Sequence, residues 1–198
     1  PLGSIEQSFN AISVALAAEG TFVARTVDVY QKHLAEILKR AAQHRGTAFV
    51  EIFQNCIVYN PNEWDLITEP SVRDDHVLHL EHGKPMIFGK NRDKGIRLNG
   101  LQPEVVTLGN GITEEDLLVH DEFREDPTLA YLLSRMGPPH FPTPVGVFRA
   151  IEKPDYTTLM LRQMEEYTRQ RGPGDLAKLY RQADTWVVKE PQRTGNGR

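Results

Sequence analysis

One thiol, two histidine–aspartate groupings and one basic turn are the places in this sequence where residue type and spacing could do chemistry. Cys56 is the chain's single cysteine and stands in Gln54-Asn55-Cys56, directly after the run TAFVEIF (residues 47–53). A thiolate can serve as a nucleophile or a soft metal ligand, whereas a buried thiol is an inert small hydrophobe. From the residues alone both kinds of role stay open, although no histidine is placed as the base that a nucleophilic cysteine needs. Asp74-Asp75-His76, His79 and His82 invite a metal reading. On a helix, positions three and six apart drift round the cylinder; on a strand, His76 and His82 share one face and His79 takes the other. Neither geometry converges three imidazoles on one ion, so the expectation is a solvated edge strand whose polar side chains discourage pairing with another chain. His120-Asp121 has the composition of a base and its orienting carboxylate, but adjacent residues do not reach each other that way in regular structure. Capping or docking ahead of a helix is the expected role. Asp93-Lys94-Gly95 lacks the long strand before it and the helix after it that a phosphate loop requires, and reads as a turn.

The elements that must position these residues are clearest at the start. Asn10 can cap a helix over residues 11–19, rich in Ala and Leu, with Gly20 as its stop. Residues 21–25 (TFVAR) form a β-branched and aromatic run, read as a strand. Asp28 can cap the next helix, whose Tyr30, Leu34, Ile37, Leu38 and Ala41 share one face of a 3.6-residue period before Gly46 ends it. Residues 47–53 then form a second strand. Strand, helix and strand at this spacing predict a βαβ unit with parallel strands, and in such sheets ligands collect beyond the carboxyl ends. Gln54-Asn55-Cys56 lies at that end.

From Tyr59 onward the texture is irregular. Residues 76–81 and 85–88 read as short strands, and Met86-Ile87-Phe88 with Ile96-Arg97-Leu98 flank a polar turn, as in a hairpin. Residues 105–108 predict another strand. Thr113 can cap a short turn, with Glu115 one residue early for a capping box. Leu129, Leu132, Leu133 and Met136 mark a core-facing or interface-facing helix after Pro127. Residues 137–144 carry four prolines and are expected to be a semi-rigid connector, an arm over the body or a neighbour, not a strand. A helix over residues 156–171 stops at Gly172-Pro173-Gly174, Asp175 opens a further turn or two, and Gly195-Asn196-Gly197-Arg198 is expected to fray.

The whole chain has 198 residues, 39% hydrophobic and 25% charged, with a formal net charge of −4. That balance is ordinary for a globular protein and favours neither a nucleic-acid nor an anionic-membrane partner. No apolar run approaches a membrane span, and no basic-then-apolar signal opens the chain. One cysteine excludes an intrachain disulfide framework and fits a reducing, cytoplasmic compartment. Pro1-Leu2-Gly3-Ser4 has two readings, a protease scar or native sequence, and the absence of an initial methionine suggests part of a longer product.

Several pieces recur in order along one family. They are GTFVAR (residues 20–25), FVEIFQNC (49–56), Asn60, Trp64, Gly83-Lys84-Pro85 with Phe88-Gly89, Val119-His120-Asp121-Glu122, Leu129-Ala130, and FPTPVGVFR (141–149). Together they resemble the beta subunits of 2-oxoacid:ferredoxin oxidoreductases over roughly residues 1–165. Pro1, Gly3-Ser4-Ile5 and Phe9-Asn10 join the resemblance and favour the native reading of the first residues. The resemblance implies an α/β fold: part of a parallel-sheet thiamine-diphosphate-binding domain, followed by an irregular β-hairpin and a helical C-terminal extension. The implied division is 1–58 for the cofactor-domain half, 59–182 for an extension that packs against other subunits, and 183–198 for a tail. It further implies oxidative decarboxylation of a 2-oxoacid to an acyl-CoA with electrons passed to ferredoxin, and the FVEIFQNC and HDE pieces look most like the 2-oxoglutarate branch. Implied cofactors are thiamine diphosphate, Mg²⁺ and a [4Fe–4S] cluster, and implied partners are an alpha subunit and the upstream part of the beta subunit. Cys56 matches the family's fourth cluster ligand. The Gly-Asp-Gly cofactor motif and the other three cluster cysteines do not occur here, so the span holds no cofactor-binding residue of that set and no catalytic residue is assigned. Asn55 and Gln54 are candidates for bonding cluster sulfurs or, equally, for closing the loop. The competing reading is a non-catalytic assembly module whose residues 57–150 grip a partner subunit.

Overall fold

Phe22–Val27 (β1) is rich in apolar and β-branched residues, with Arg25 its one charge, and is buried at every position. The computed structural model describes residues 5–182 and 184–189; Pro1–Ser4 and the tail at Gly195–Arg198, for which expectations were stated, lie outside them. The chain divides into two units, Pro1–Asp155 and Tyr156–Arg198.

In the first unit β1 follows Ala11–Ala17 (α1), whose Asn10 cap accepts from the Ser13 amide at 2.8 Å. It precedes Gln31–Gln43 (α2) and Ala48–Phe53 (β2). β1 and β2 pair in parallel, from Phe22 opposite Ala48 to Val27 opposite Phe53, which is the expected βαβ unit. Asp28 does not cap α2: Tyr30 takes the N-cap position without a side-chain bond, and the Asp28 carboxylate accepts from Val29 N–H at 2.7 Å.

The departure of most consequence is Thr143–Ala150 (β7), a strand that begins inside the expected connector. It lies antiparallel to β1 on the edge away from β2, and Val77–Leu80 (β3) pairs with it in parallel. The sheet order is therefore β2-β1-β7-β3, mixed but mostly parallel. Gly146 makes the β7–β3 approach feasible, because at its φ of +128° a Cβ would stand 2.8 Å from the Leu80 carbonyl oxygen. Pro144 is tolerated because its ladder to β1 stops at Gly146, and its carbonyl instead accepts from Arg25 Nη1 at 3.4 Å.

Between β3 and β7 the chain forms a three-stranded sheet of Ile87–Phe88 (β4), Lys94–Asn99 (β5) and Gln102–Thr107 (β6). β4 and β5 form the expected antiparallel hairpin, although Lys94 and Gly95 belong to its second strand and not to the turn. Asp116, not Glu115, closes a capping box with Thr113. Thr128–Ser134 (α4) packs Ala130, Leu133 and the following Met136 with Ile12, Leu16, Val23 and Phe148 on one sheet face. On the other face α2 packs Ile37 against Phe22, Ala24 and Val147.

The second unit holds Tyr156–Arg171 (α5), at the bounds expected from the sequence, and Leu176–Tyr180 (α6), capped by Asp175 through the Lys178 amide at 2.9 Å. Neither helix has a buried residue. Among the described residues no helix is long and apolar enough to cross a membrane.

Candidate functional site

Beyond Phe53 the chain leaves the sheet in a short excursion that carries Cys56 and returns at Trp64. The two limbs are tied at their base. Phe53, the last residue of β2, stacks on Trp64 with ring centroids 3.9 Å apart and planes 9° from parallel. Both rings pack on Val27, Ile67, Val77 and Val145, so the neck is seated on the carboxyl end of β1. The Tyr30 hydroxyl donates to the Ile67 carbonyl and fastens the short helix Asp65–Thr68 (α3) to the turn after β1. Asn55 bridges the limbs: its Oδ1 accepts from Trp64 N–H at 2.8 Å and its Nδ2 donates to Asp65 Oδ1 at 3.3 Å. Asn55 thus closes the loop, the second of the two roles open to it on sequence grounds.

Within the excursion Cys56 and Asn60 form an isolated antiparallel bridge, with Asn60 N–H donating to the Cys56 carbonyl at 2.9 Å. The thiol is exposed. Backbone amides of Tyr59, Val58 and Asn60 gather at it and hold its pKa below the ordinary cysteine range, the Tyr59 amide contributing most. This is an electropositive backbone pocket of the kind that favours thiolate. Ile57, Val58 and Tyr59, at the tip, are 86%, 75% and 86% exposed, an apolar rim beside the sulfur. Cys56 provides one soft ligand, and the described residues hold no group of three or more His, Cys, Asp or Glu side chains fit for a metal ion.

The same end of β1 carries a second feature that sequence reasoning missed, an open cavity of about 450 Å³ walled by Tyr30, His33, Arg73, Asp74 and His79. The His33 and His79 rings meet edge to face at 5.9 Å, and His33 Nδ1 bonds the Thr26 hydroxyl at 2.8 Å. Burial depresses the pKa of both imidazoles, so both are neutral near pH 7. The 76–82 histidines do not converge: His79 faces this cavity, whereas His82 Nδ1 lies 3.4 Å from Asp121 Oδ1. β3 is an edge strand, as expected, but it is not a solvated one: Val77, Leu78 and Leu80 are buried. His120 is buried and its Nε2 donates to the Val147 carbonyl at 2.7 Å, docking its segment on β7. Asp121 turns away to accept from Phe123 N–H at 3.1 Å. A further residue pair that the sequence did not single out is Arg25 and Glu51, bonded at 2.6 Å between registered positions of β1 and β2. The signal for it was present, as two charges standing opposite each other in parallel register.

With this geometry in view, comparison with known proteins is informative. No family model matches the sequence. The chain is 35% identical, over 95% of its length, to the 2-oxoglutarate oxidoreductase subunit KorB of Mycobacterium tuberculosis. Several further relatives are named as 2-oxoacid:ferredoxin oxidoreductase beta subunits. The 2-oxoglutarate synthase subunit KorB of Methanocaldococcus jannaschii is 36% identical across 43% of the chain and 33% of the relative. A 2-oxoacid:ferredoxin oxidoreductase beta subunit of Aeropyrum pernix is 40% identical across 30% of the chain and 19% of the relative. The fold matches a 2-oxoglutarate:ferredoxin oxidoreductase from Magnetococcus marinus, solved with 2-oxoglutarate, coenzyme A and succinyl-CoA bound. That match has a TM-score of 0.55 at 21% identity and covers 90% of this chain and 46% of the other. The chain spans about half the length of the Mycobacterium relative, 51%. The resemblance read from the ordered motifs is borne out, as is the α/β class with a mostly parallel sheet.

Proposed function

We propose that this chain is the C-terminal part of the beta subunit of a cytoplasmic 2-oxoglutarate:ferredoxin oxidoreductase, and that Cys56 is one ligand of its [4Fe–4S] cluster. The observation that carries the reading is the exposed thiol set just past the carboxyl end of a parallel strand pair. A ligand cysteine must be reachable and able to ionise, and the Cys56 thiol is exposed with its pKa held below the ordinary cysteine range. The other three cysteines, and the residues that hold thiamine diphosphate and Mg²⁺, belong to the upstream half of such a subunit. When bound, the diphosphate cofactor supplies the decarboxylation and the cluster accepts the electrons.

The residues of this chain have structural duties toward that chemistry. Cys56 contributes one thiolate, the amides of residues 58–60 lower its pKa, and Ile57, Val58 and Tyr59 form an exposed apolar rim beside it. An alpha subunit, coenzyme A, 2-oxoglutarate and ferredoxin complete the assembly. The assembly-only alternative called for a sulfur walled into a dry core, and the exposure of Cys56 speaks against it.

The test is anaerobic co-expression of the full-length beta chain with its alpha subunit, alongside a Cys56→Ala variant. The parent complex is expected to be brown and to reduce dye with 2-oxoglutarate and coenzyme A; the variant is expected to lose iron and activity together. Unchanged iron and dye reduction in the variant removes the case for Cys56.

A further inference from the structure

A cluster ligand works only if its sulfur is aimed, and nothing in the packing around Cys56 aims it. The tip residues Ile57, Val58 and Tyr59 are exposed, so the excursion gains little order from burial; the Cys56–Asn60 bridge shapes its tip, and its neck sets its direction. That neck has two fastenings. One is the stack of Phe53 on Trp64. The other is the Asn55 amide, which accepts from the Trp64 backbone at 2.8 Å and donates to Asp65 Oδ1 at 3.3 Å. The fit demands a carboxamide of this length. A backbone N–H only donates and a carboxylate only accepts, so a side chain facing one of each must carry one acceptor and one donor. Aspartate lacks the donor, leucine lacks both, and glutamine is a methylene too long.

We propose that Asn55 is the positioning residue for Cys56. By pinning the outgoing limb to the returning one at Trp64 and Asp65, it fixes the direction in which the neighbouring thiolate is presented. It touches neither the sulfur nor any reacting atom and acts through the loop, as outer residues do when they orient a metal's own ligands. The inference rests on the cluster reading above for its purpose, but the clasp itself can be tested without a cluster.

The discriminating variants are Asn55→Ala, Asn55→Asp, and Asn55→Asp combined with Asp65→Asn. The double swap restores one acceptor for the Trp64 amide and one donor–acceptor pair across the neck with the roles reversed. In this 198-residue chain, hydrogen exchange across residues 54–65 reports the clasp directly. Asn55→Ala is expected to speed it about tenfold, the scale of one or two lost hydrogen bonds. Asn55→Asp is expected to speed it at least as much, because two carboxylates then face each other, and the double swap returns it toward the parent rate. In the full-length alpha–beta complex the readouts are iron and acid-labile sulfide content, the electron paramagnetic resonance spectrum of the reduced cluster and its midpoint potential. Asn55→Ala is expected to lower the first two or alter the last two, and the double swap to restore them. Slow exchange in Asn55→Ala overturns the clasp, and so does a double swap that behaves like Asn55→Asp alone. Fast exchange with iron, sulfide, spectrum and potential all unchanged overturns the positioning role. A Cys56→Ala complex that keeps its full cluster refutes the ligand assignment instead, while the exchange measurement still decides the clasp.

Discussion

β1 and β2 are parallel neighbours of equal length, both rich in apolar and aromatic residues, yet their surroundings differ sharply. β1 is buried at all six positions, whereas β2 runs from exposed to half-buried. The cause is topological: among the described residues β1 has a strand on each edge, β2 on one only. β2 also lacks the lysine, proline or bulge that commonly guards a free edge, and its one charge, Glu51, is taken by Arg25. Stability is therefore concentrated at the centre of the sheet, and the candidate chemistry hangs from the less covered strand. A parallel strand with an unguarded apolar edge is unusual in a finished sheet, in keeping with a chain that spans about half of its Mycobacterium relative, 51%.

Substitutions can break that contrast or sharpen it. Phe22→Ala, at the first position of β1 and 2% exposed, is expected to cost about 3–4 kcal/mol in denaturant unfolding. A loss below about 1 kcal/mol there means that β1 does not carry the core. Arg25→Met removes the ion pair that spans the two strands. Because Glu51 keeps some solvent contact, with 19% of its side chain exposed, the expected loss is about 2 kcal/mol, short of that for a fully buried pair. Next comes the pH response. Burial lowers the pKa of His33, His44, His79 and His120, so these side chains stay neutral in the fold while the unfolded chain takes up protons. Their contribution is complete above the unfolded histidine value of about 6.5 and is lost as the pH falls from there through the folded values. The thermal midpoint should drop between pH 7.5 and 5.5, and His120→Leu should flatten that slope; a midpoint rising on acidification contradicts the assignment. The smallest effect belongs to Ile52→Thr on β2. Ile52 is 43% exposed, and the change should stay within about 0.5 kcal/mol by the same unfolding measurement.

Much of the candidate site was legible because its signals are local. The βαβ unit shows in the apolar period of α2 between two β-branched runs, and Cys56 follows the second run at a known offset. What escaped was set by partners distant in sequence. β7 was hidden by its composition and its lead-in, since Pro144 and Gly146 within it and Pro142 just before it are strand breakers by local rules. It becomes a central strand only because β1 and β3 offer edges at positions where a proline nitrogen is not needed and where a side chain would collide with Leu80. The cavity at Tyr30, His33 and His79 was likewise invisible: some of its walls come from the turn after β1 and the start of α2, and the others, about forty residues on, from the helical turn at Arg73–Asp75 and from β3.

Residue order alone determined the identity and place of the sulfur, the parallel sense of its strand pair, the β4–β5 hairpin and the helix bounds at Tyr156–Arg171, because each depends on neighbours within a few turns or one crossover. Tertiary structure alone decided that β7 fills the second edge of β1, that Asn55 binds Trp64 and Asp65 and not the sulfur, and that His120 is a docking group. Those outcomes depend on which surfaces meet, and burial and hydrogen-bond geometry select the meeting only once the chain has closed on itself.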